Sequence, residues 1–325
     1  MKAGVFSCDN GLGHVRRAVI IANELSHFLN VFLIGDKKKI KKFHLRKLIK
    51  IKNFNLNFSS EKRYLKKGNI FKKLKKNNFK KYDIIYTDNL PEFFYNGKKN
   101  FIFANFLWHK ELNLYDKKYK TIEKFLKDKK IILFGNYLFG KNYLKNFNFV
   151  KVPFFGKYIK NKSANSILLS FGTAKFNSSY KVKKKIIKTI KNLKSTNKIF
   201  IEPSFYNKSL KKFNVHKADF TNEMYSQISV AYIKPGMGTV EECLKRGIPI
   251  ISFSKNTSKE FKHNSKIINK NNLGISENNL ERGLKKALNI LNNKSHQKFF
   301  ERGFKKLRWN GEKKVVKTIL SNLNT

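Results

Sequence analysis

The sequence predicts an α/β protein made of two parallel β-sheets, each covered by helices. Short apolar runs of strand length alternate with longer segments whose apolar residues recur at helical spacing. Parallel strands need a crossover connection, usually a helix, so this alternation favours parallel sheets. The alternation starts afresh at Ser166, and a length of 325 residues fits about two domains of roughly 150 residues each.

The first half of the chain opens with a βαβ unit. Lys2–Ser7 is predicted to be a strand, the stretch CDNGLG a glycine loop, and His14–Leu25 a helix. A second strand, Asn30–Ile34, follows, which implies parallel pairing through a right-handed crossover. Later strands are predicted at Asp83–Thr87, Phe101–Ala104, Lys130–Phe134 and Phe149–Val152.

The second half repeats this organisation after a Pro-, Gly- and Asn-containing stretch at 153–165. We therefore predict two Rossmann-like domains, 1–157 and 158–325, with terminal helices able to pack back on the first. Two such domains are expected to face a cleft that holds the ligand. The predicted elements are strand SILLSF at 166–171, helix Tyr180–Leu193, strands Lys198–Glu202 and Val230–Ile233, helix Thr239–Lys245, strand Ile248–Ser252, and a mostly helical end from Asn278 to Leu323.

The chain is strongly basic, with 71 Lys and Arg against 21 Asp and Glu and a formal net charge of +50. Only eight of the basic residues are arginine, which nucleic-acid readers favour for bidentate contacts. Lys, Asn, Ile and Phe are enriched together, a pattern that AT-rich codons produce. We expect no specific nucleic-acid partner. A basic nucleic-acid-binding protein stays open as an alternative, because the charge attracts polyanions.

Cysteine content and hydropathy predict a cytoplasmic protein. Cys8 and Cys243 are the only cysteines, so no disulfide framework is implied. The apolar stretch near the N-terminus is too short for a signal peptide, and no apolar run reaches the roughly 18 residues of a membrane-spanning helix. Residues 37–81 contain nineteen basic residues and one acid. This segment is either a peripheral contact with an anionic membrane at its inner face or a solvated, lysine-rich loop and helix.

The first candidate site is the glycine loop with Gly11, Gly13 and His14, between a predicted strand and a predicted helix. Glycines let the backbone approach a ligand, and a helix N-terminus presents N–H groups that attract anions. An imidazole at this point is suited to general-base work. The pattern is not the dinucleotide fingerprint GxGxxG. The alternative is a histidine in the first helical turn beside a tight structural turn.

The second candidate site is the loop with Gly236, Met237, Gly238 and Thr239, again between a strand and a helix. A phosphate is able to bind at this helix N-terminus, and the carboxylate of Glu242, one turn further, is placed to accept hydrogen bonds from sugar hydroxyls. The spacing Thr239-x-x-Glu242 is also that of a capping box, in which the glutamate serves only its own helix.

Two further positions carry weaker signals. Gly172 and Thr173 follow the strand that opens the second domain, where a loop of small residues suits either an anion or an ordinary βα turn. Asp88 follows the predicted strand at 83–87 and is either a catalytic base or a turn former. The histidines and cysteines show no metal-ligand spacing, so no metal site is expected.

Taken together, these segments resemble the GT-B glycosyltransferases. The type named by the resemblance is the N-acetylglucosaminyltransferase that makes lipid II, with its nucleotide-sugar relatives. The matching segments are GLGHVRRAVIIANEL, DIIYTDN, SFGTAK, HNSKIINKNNLGI and, most specifically, DFTNEMYSQISVAYIKPGMGTVEECLKRGIPIISFS. The resemblance covers most of the chain except residues 37–81.

The resemblance implies roles for individual residues. His14 falls near the transferred sugar and the acceptor, and Glu242 falls on the carboxylate that binds the donor ribose. The other implied donor-binding positions are Gly236, Gly238 and Thr239 at the diphosphate, Phe220 and Met224 at the start of the base pocket, and Gly172 and Thr173 on the loop facing the cleft. The family uses helix N-termini and basic groups in place of a metal ion.

The implied function is a glycosyltransferase that needs no cofactor and moves a hexosyl or N-acetylhexosaminyl group. The donor is a nucleotide-sugar, expected to be UDP-linked, and the acceptor a glycan or lipid-linked molecule of cell-envelope polysaccharide. The family has paired glutamines where this chain reads Lys259–Asn264, which leaves the sugar open. The pattern GxGHxxR, ending at Arg17, equally resembles UDP-sugar hydrolases of the pseudaminic-acid pathway, in which the histidine activates water.

Overall fold

The protein folds into two compact units. The first unit contains Met1–Gly156 and Arg308–Thr325, and the second contains Lys157–Leu307. The computed structural model describes residues 1–8, 12–54, 81–90, 99–111, 117–161, 164–171, 179–193, 197–255 and 257–323. The predicted site residues Gly11, Gly172 and Thr173, and residues 55–80 of the basic segment, lie outside the described residues.

Each unit is built on one parallel sheet, as the sequence predicts. The first sheet has the strand order β3-β2-β1-β4-β5-β6-β7 and the second β10-β9-β8-β11-β12-β13, with every pairing parallel. The strands are β1 Lys2–Phe6, β2 Asn30–Gly35, β3 Lys50–Asn53, β4 Ile84–Asp88, β5 Lys99–Phe103, β6 Ile131–Asn136, β7 Phe149–Val152, β8 Ser166–Ser170, β9 Lys198–Ile201, β10 Val215–Lys217, β11 Ile228–Ile233, β12 Ile250–Ser252 and β13 Gly274–Ser276.

Helices connect these strands in both units. The described helices are α1 Leu12–Leu25, α2 Lys37–Ile40, α3 Trp108–Glu111, α4 Lys117–Leu126, α5 Ser179–Leu193, α6 Asn222–Ser226, α7 Met237–Lys245, α8 Lys259–Lys270, α9 Leu280–Asn292, α10 Lys294–Phe304 and α11 Gly311–Ser321, with 3₁₀ helices at Asn142–Asn146 and Lys208–Phe213. None of the helices within these described stretches is long and apolar enough to cross a membrane.

Central strands such as β4, β6 and β8 are buried on both faces because helices and loops cover both faces of a parallel sheet. In β1, Ala3 and Val5 pack in the core that α1 covers, whereas Phe6 packs on the opposite face with Ile85 of β4. The last helix, α11, belongs to the first unit and buries its apolar face in the same core as α1. Burial of side chains such as Ile319 stabilises this unit by about 1.5–3 kcal/mol each.

In the second unit, Gly283 of α9 explains how a helix packs closely on the sheet. A Cβ atom at this position would lie 2.3 Å from Cζ of Tyr232, so only glycine leaves room for the ring. The Tyr232 hydroxyl then donates to the backbone oxygens of Glu277 and Asn279, at 3.1 and 3.2 Å. This contact fixes the strand β11, whose carboxyl end leads into the second candidate loop.

Candidate functional site

His14, Arg17 and Asp88 form a buried polar cluster in the first unit. The strand order of the first sheet puts β4 beside β1 on the side away from β2. The loop after β1 therefore begins at the point where the strand order reverses, and ligands of open α/β sheets bind there, beyond the carboxyl ends of the strands. His14 lies in the first turn of α1, and Asp88 is the last residue of β4.

Short hydrogen bonds join the three side chains. Nδ1 of His14 lies 2.6 Å from Oδ1 of Asp88. Arg17 donates from Nε to Oδ2 of Asp88 at 2.8 Å and from Nη2 to Oδ1 at 2.9 Å, which is the bidentate geometry of strong arginine–carboxylate pairs. The Asp88 side chain is fully buried, and that of His14 is 17% exposed. The imidazole is thus the member of the cluster that solvent reaches.

The charge of Asp88 fixes which nitrogen of His14 carries a proton. Burial by itself raises the pKa of Asp88, but the Arg17 charge and the hydrogen bonds from His14 and Arg17 outweigh it and hold the pKa below its usual range. An ionised carboxylate only accepts hydrogen bonds, so Nδ1 of His14 must be the donor. Nε2 of the neutral ring then carries a lone pair and is able to accept a proton.

Asp88 is engaged by side chains from α1 and not by its own turn. The residue after it, Asn89, takes a left-handed conformation (φ 54°), and its N–H donates to the backbone oxygen of Phe103 at 2.7 Å. The ring of Phe103 lies 5.1 Å from the guanidinium carbon of Arg17. The end of β5 therefore supports Arg17, which in turn supports Asp88.

The second candidate loop follows β11, which pairs with β8 as β4 pairs with β1, so this loop borders the point where the strand order of the second sheet reverses. Helix α7 begins at Met237, and Gly236 is its N-cap without a side-chain hydrogen bond. Gly238 and Thr239 lie in the first turn, whose N–H groups face outward from the helix N-terminus. The capping-box alternative is wrong, since Thr239 is not the N-cap and Glu242 lies beyond the third helical position.

Space is open at Gly236. Its backbone (φ −74°, ψ 136°) is accessible to any residue, and an added Cβ would meet only Phe261, at 3.6 Å. The Phe261 ring also lies 4.1 Å from Nζ of Lys234. Asn264 donates to the backbone oxygen of Pro235 at 2.9 Å and so anchors the loop to α8. Packing does not require glycine at 236, whereas close approach of a ligand would.

Glu242 is buried and paired with an arginine. The Glu242 side chain is 8% exposed, and Oε2 accepts a hydrogen bond from Nη1 of Arg246, one turn further along α7. Arg246 donates from Nη2 to Oδ1 of Asn222 at 2.7 Å, and its guanidinium carbon lies 5.1 Å from the ring of Tyr225. Helix α7 is thereby joined to α6.

The segment predicted to begin the base pocket lies on the far side of this network. Phe220 is half-buried, has a left-handed backbone (φ 61°) and lies with its ring 6.4 Å from that of Tyr225. Met224 is buried within α6, and its N–H donates to the Thr221 hydroxyl that caps this helix. In the second unit the predicted residues Phe220 and Glu242 are therefore linked through Tyr225 and Arg246.

Several of these residues were not predicted as site members. Arg17 and Arg246 have the helical spacings to His14 and Glu242, i, i+3 and i, i+4, that would have identified them. Asn264 and Phe261 have no such signal, because their contact with the loop at 234–236 depends on the tertiary fold. In the parts of the chain that the structure describes, no group of three or more His, Cys, Asp or Glu side chains is arranged to hold a metal ion.

Solved structures with the same fold cover the whole chain. Rice (O. sativa) Os79 in complex with UDP has a TM-score of 0.69 at 10% identity, over 99% of this chain and 100% of its own. Arabidopsis thaliana UGT89C1 complexed with quercetin has a TM-score of 0.66 at 10% identity, over 99% and 98%. The glycotransferase of kitacinnamycin has a TM-score of 0.66 at 10% identity, over 98% of each chain.

The chain has the GT-B fold. The resemblance to GT-B glycosyltransferases is thus confirmed for the fold, whereas the lipid II type stays a prediction. No family model matches the sequence, and no curated protein matches it significantly. In this GT-B protein both candidate sites lie at the carboxyl ends of parallel strands, as the strand orders of the two sheets require.

Proposed function

We propose that the protein transfers a sugar from a UDP-sugar to a hydroxyl group of a glycan or lipid-linked acceptor, without a metal ion. The pairing of His14 with the buried carboxylate of Asp88 carries this proposal. A histidine held by a carboxylate at Nδ1 presents Nε2 as a general base, the group that glycosyl transfer needs to take the proton of the incoming hydroxyl. The carboxylate then stabilises the imidazolium that forms.

The loop Gly236–Thr239 supplies the second requirement of the reaction. Departure of UDP leaves negative charge on the diphosphate, and the N-terminus of α7 offers N–H groups and a positive dipole for it. The open space at Gly236 supports a close approach of phosphate oxygens to this backbone. In this proposal the helix N-terminus, with Lys234 beside the loop, takes the part that a metal ion plays in other transferases, and we propose no further cofactor.

One observation supports uridine as the donor base: Os79 and LpCGTa, which share the fold, were both solved with UDP. A second observation supports a planar base at Phe220. This ring is half-buried and lies against the buried Tyr225, and aromatic rings supply large contact areas at low entropy cost. Glu242 is proposed as the group that binds the ribose.

For a lipid-linked acceptor, we also propose that the protein is cytoplasmic and contacts an anionic membrane peripherally. Within 37–54, the longer described part of the basic segment, lysine is the commonest residue and Leu48 is 70% exposed. A basic surface with an apolar side chain fits anionic lipid. Leu48→Ser is expected to weaken sedimentation with phosphatidylserine vesicles, and Phe299→Ser, in the second unit, serves as the control. Equal binding by all three proteins would rule out this surface.

The pair of His14 and Asp88 would also activate water, so a UDP-sugar hydrolase is the second candidate function. The Nε2 atom of His14 could take a proton from water or from a sugar hydroxyl, so it does not decide which of the two is the acceptor. The pattern GxGHxxR also resembles the pattern of such hydrolases. The two functions differ in product. A transferase releases UDP only when an acceptor is present, whereas a hydrolase releases UDP and free sugar in equal amounts without one.

The test is a turnover assay with a panel of UDP-sugars, with and without glycan and lipid-linked acceptors. His14→Ala is expected to lower kcat by about 10²–10⁴-fold, the usual contribution of a general base. His296→Ala, on the exposed face of α10, is the matched control and is expected to keep full activity. Full activity of His14→Ala would remove the catalytic assignment. Turnover in neither assay would remove the proposed function.

A further inference from the structure

Arg246 is the point at which the parts of the second site meet. It lies at the C-cap of α7 and is 5% exposed. Its guanidinium donates to Oε2 and to the backbone oxygen of Glu242, donates to Oδ1 of Asn222, and packs against the ring of Tyr225. One side chain thus contacts the carboxylate proposed for the ribose and the helix proposed for the base.

This arrangement fixes the orientation of Glu242. An arginine presents donors in a rigid planar fork, so a side chain that satisfies two acceptors on different helices has little freedom left. The carboxylate of Glu242 accepts a hydrogen bond at Oε2 from Nη1 of that fork, which favours the side-chain orientation seen here. A carboxylate has about four lone-pair sites, so in general one that is bonded to an arginine can also accept a hydrogen bond from a ligand hydroxyl.

The guanidinium of Arg246 bonds its own helix and also reaches another. It donates to the backbone oxygen of Glu242 in the last turn of α7, as basic residues at helix C-termini commonly do. It is also taken out of water, which is costly unless the charge is paired. Here the pairing partner is Glu242, and the remaining partners lie in the 222–225 segment. The buried charge therefore links two ligand-binding elements.

We propose that Arg246 is a positioning residue that aims Glu242 at the ribose hydroxyls of the donor and so makes the site specific for ribonucleotides. This inference rests on the proposed function, because it takes a UDP-sugar as the ligand. It adds a residue that touches no ligand and acts through Glu242. The proposal predicts a selective effect. Loss of the Arg246 side chain should weaken recognition of the ribose hydroxyl and leave the contacts with the diphosphate and the base in place.

The experiment compares the dissociation constants of UDP and 2′-deoxy-UDP by titration calorimetry. The natural protein is expected to bind UDP roughly tenfold more tightly, the effect of one charge-assisted hydrogen bond. Arg246→Met removes the charge and the fork while keeping an unbranched side chain. It is expected to bind both ligands with the weaker constant, so that the preference falls to about twofold or less.

Three further variants separate positioning from folding. Arg246→Lys keeps the charge but lacks the planar fork of donors, so it is expected to retain only part of the preference for UDP over 2′-deoxy-UDP. This variant also tests the positioning role if Arg246→Met fails to fold. Glu242→Gln is expected to lose the preference as Arg246→Met does. Arg282→Met changes an arginine whose side chain is 71% exposed, and it is expected to behave as the natural protein.

Each result decides between the two proposals. A full preference for UDP in Arg246→Met or Arg246→Lys, or equal weakening of both ligands, would overturn the positioning role and leave the glycosyltransferase proposal intact. The same holds if the natural protein binds UDP and 2′-deoxy-UDP equally, because Glu242 would then not bind the 2′-hydroxyl. Absence of UDP binding by the natural protein would overturn both.

Discussion

Replacing Gly236 by alanine separates the ligand-binding part of the second loop from its folding. The added Cβ has only Phe261 within 4 Å, at an ordinary contact distance of 3.6 Å, and the backbone angles suit alanine. Loss of glycine entropy in the unfolded chain stabilises the fold by about 0.4–1 kcal/mol. Alanine is a poorer N-cap than glycine by about the same amount. The two effects nearly cancel, and we expect a change of at most about 1 kcal/mol in the free energy of unfolding.

Ligand binding is expected to respond differently. The new methyl group occupies the space through which a diphosphate would reach the N–H groups of α7. Inserting a methyl into a close contact costs about 1–3 kcal/mol, which corresponds to roughly a 5–150-fold loss of UDP affinity. Titration calorimetry with UDP measures the affinity, and chemical unfolding of the free protein measures the stability.

Gly303→Ala is the matched control for this prediction. A Cβ at Gly303, in α10, would lie 2.4 Å from the backbone oxygen of Asn272. Alanine at 303 is therefore expected to destabilise the fold by about 1–3 kcal/mol and to leave UDP affinity unchanged. Unchanged UDP affinity in Gly236→Ala would show that this loop does not hold the diphosphate.

Two predictions concern the first unit. Asp88→Asn removes the partner of the buried Arg17 and is expected to destabilise the protein by about 3–5 kcal/mol near neutral pH. Because the pKa of Asp88 is lowered by folding, its contribution is present above the usual carboxyl range and is lost as the pH falls below about 4. Urea unfolding across pH should show the two proteins converge there, and a constant difference would contradict the pairing. Ile319→Ala in α11 is expected to lower the free energy of unfolding by about 2–5 kcal/mol, measured by thermal unfolding, because it leaves a cavity in the core. Lys317→Ala, at an exposed position of the same helix, is the control. Equal stability of these two variants would mean that α11 does not support the core of the first unit.

The sequence was sufficient to predict the apolar strands, including the edge strand β7, but not the other three edge strands. Strands β1 and β8 are apolar runs, because both faces of a parallel sheet are covered and bury their side chains. Their predicted bounds agree with the structure to within one or two residues. The strands β3 (KIKN), β10 (VHK) and β13 (GIS) were missed. All three are short edge strands, so half of their backbone partners and most of their burial are absent, and no apolar run marks them.

The same limit applies to the site. The glycine loops and His14 stand next to predicted strands and helices, and their placement follows from local sequence. The contact between Arg17 and Asp88 joins residues far apart in the chain, and it depends on β4 pairing with β1. Periodicity gives the strands but not their order, so the sequence alone could not show that the Asp88 carboxylate meets side chains of α1.

If this chain binds a nucleoside diphosphate at a specific site, thermal unfolding with a panel of ligands should show it. The panel contains UDP, GDP, CMP, ADP, their common sugar conjugates and a short DNA, at about 0.15 M salt to screen surface charge. At a hundredfold excess over Kd a specific ligand adds roughly 2.7 kcal/mol, which raises the midpoint by about 5–10 °C for domains of this size. We predict this shift for UDP and its sugars alone. Equal shifts with every polyanion that decrease as the salt concentration rises would show nonspecific binding by charge and would contradict a specific UDP site.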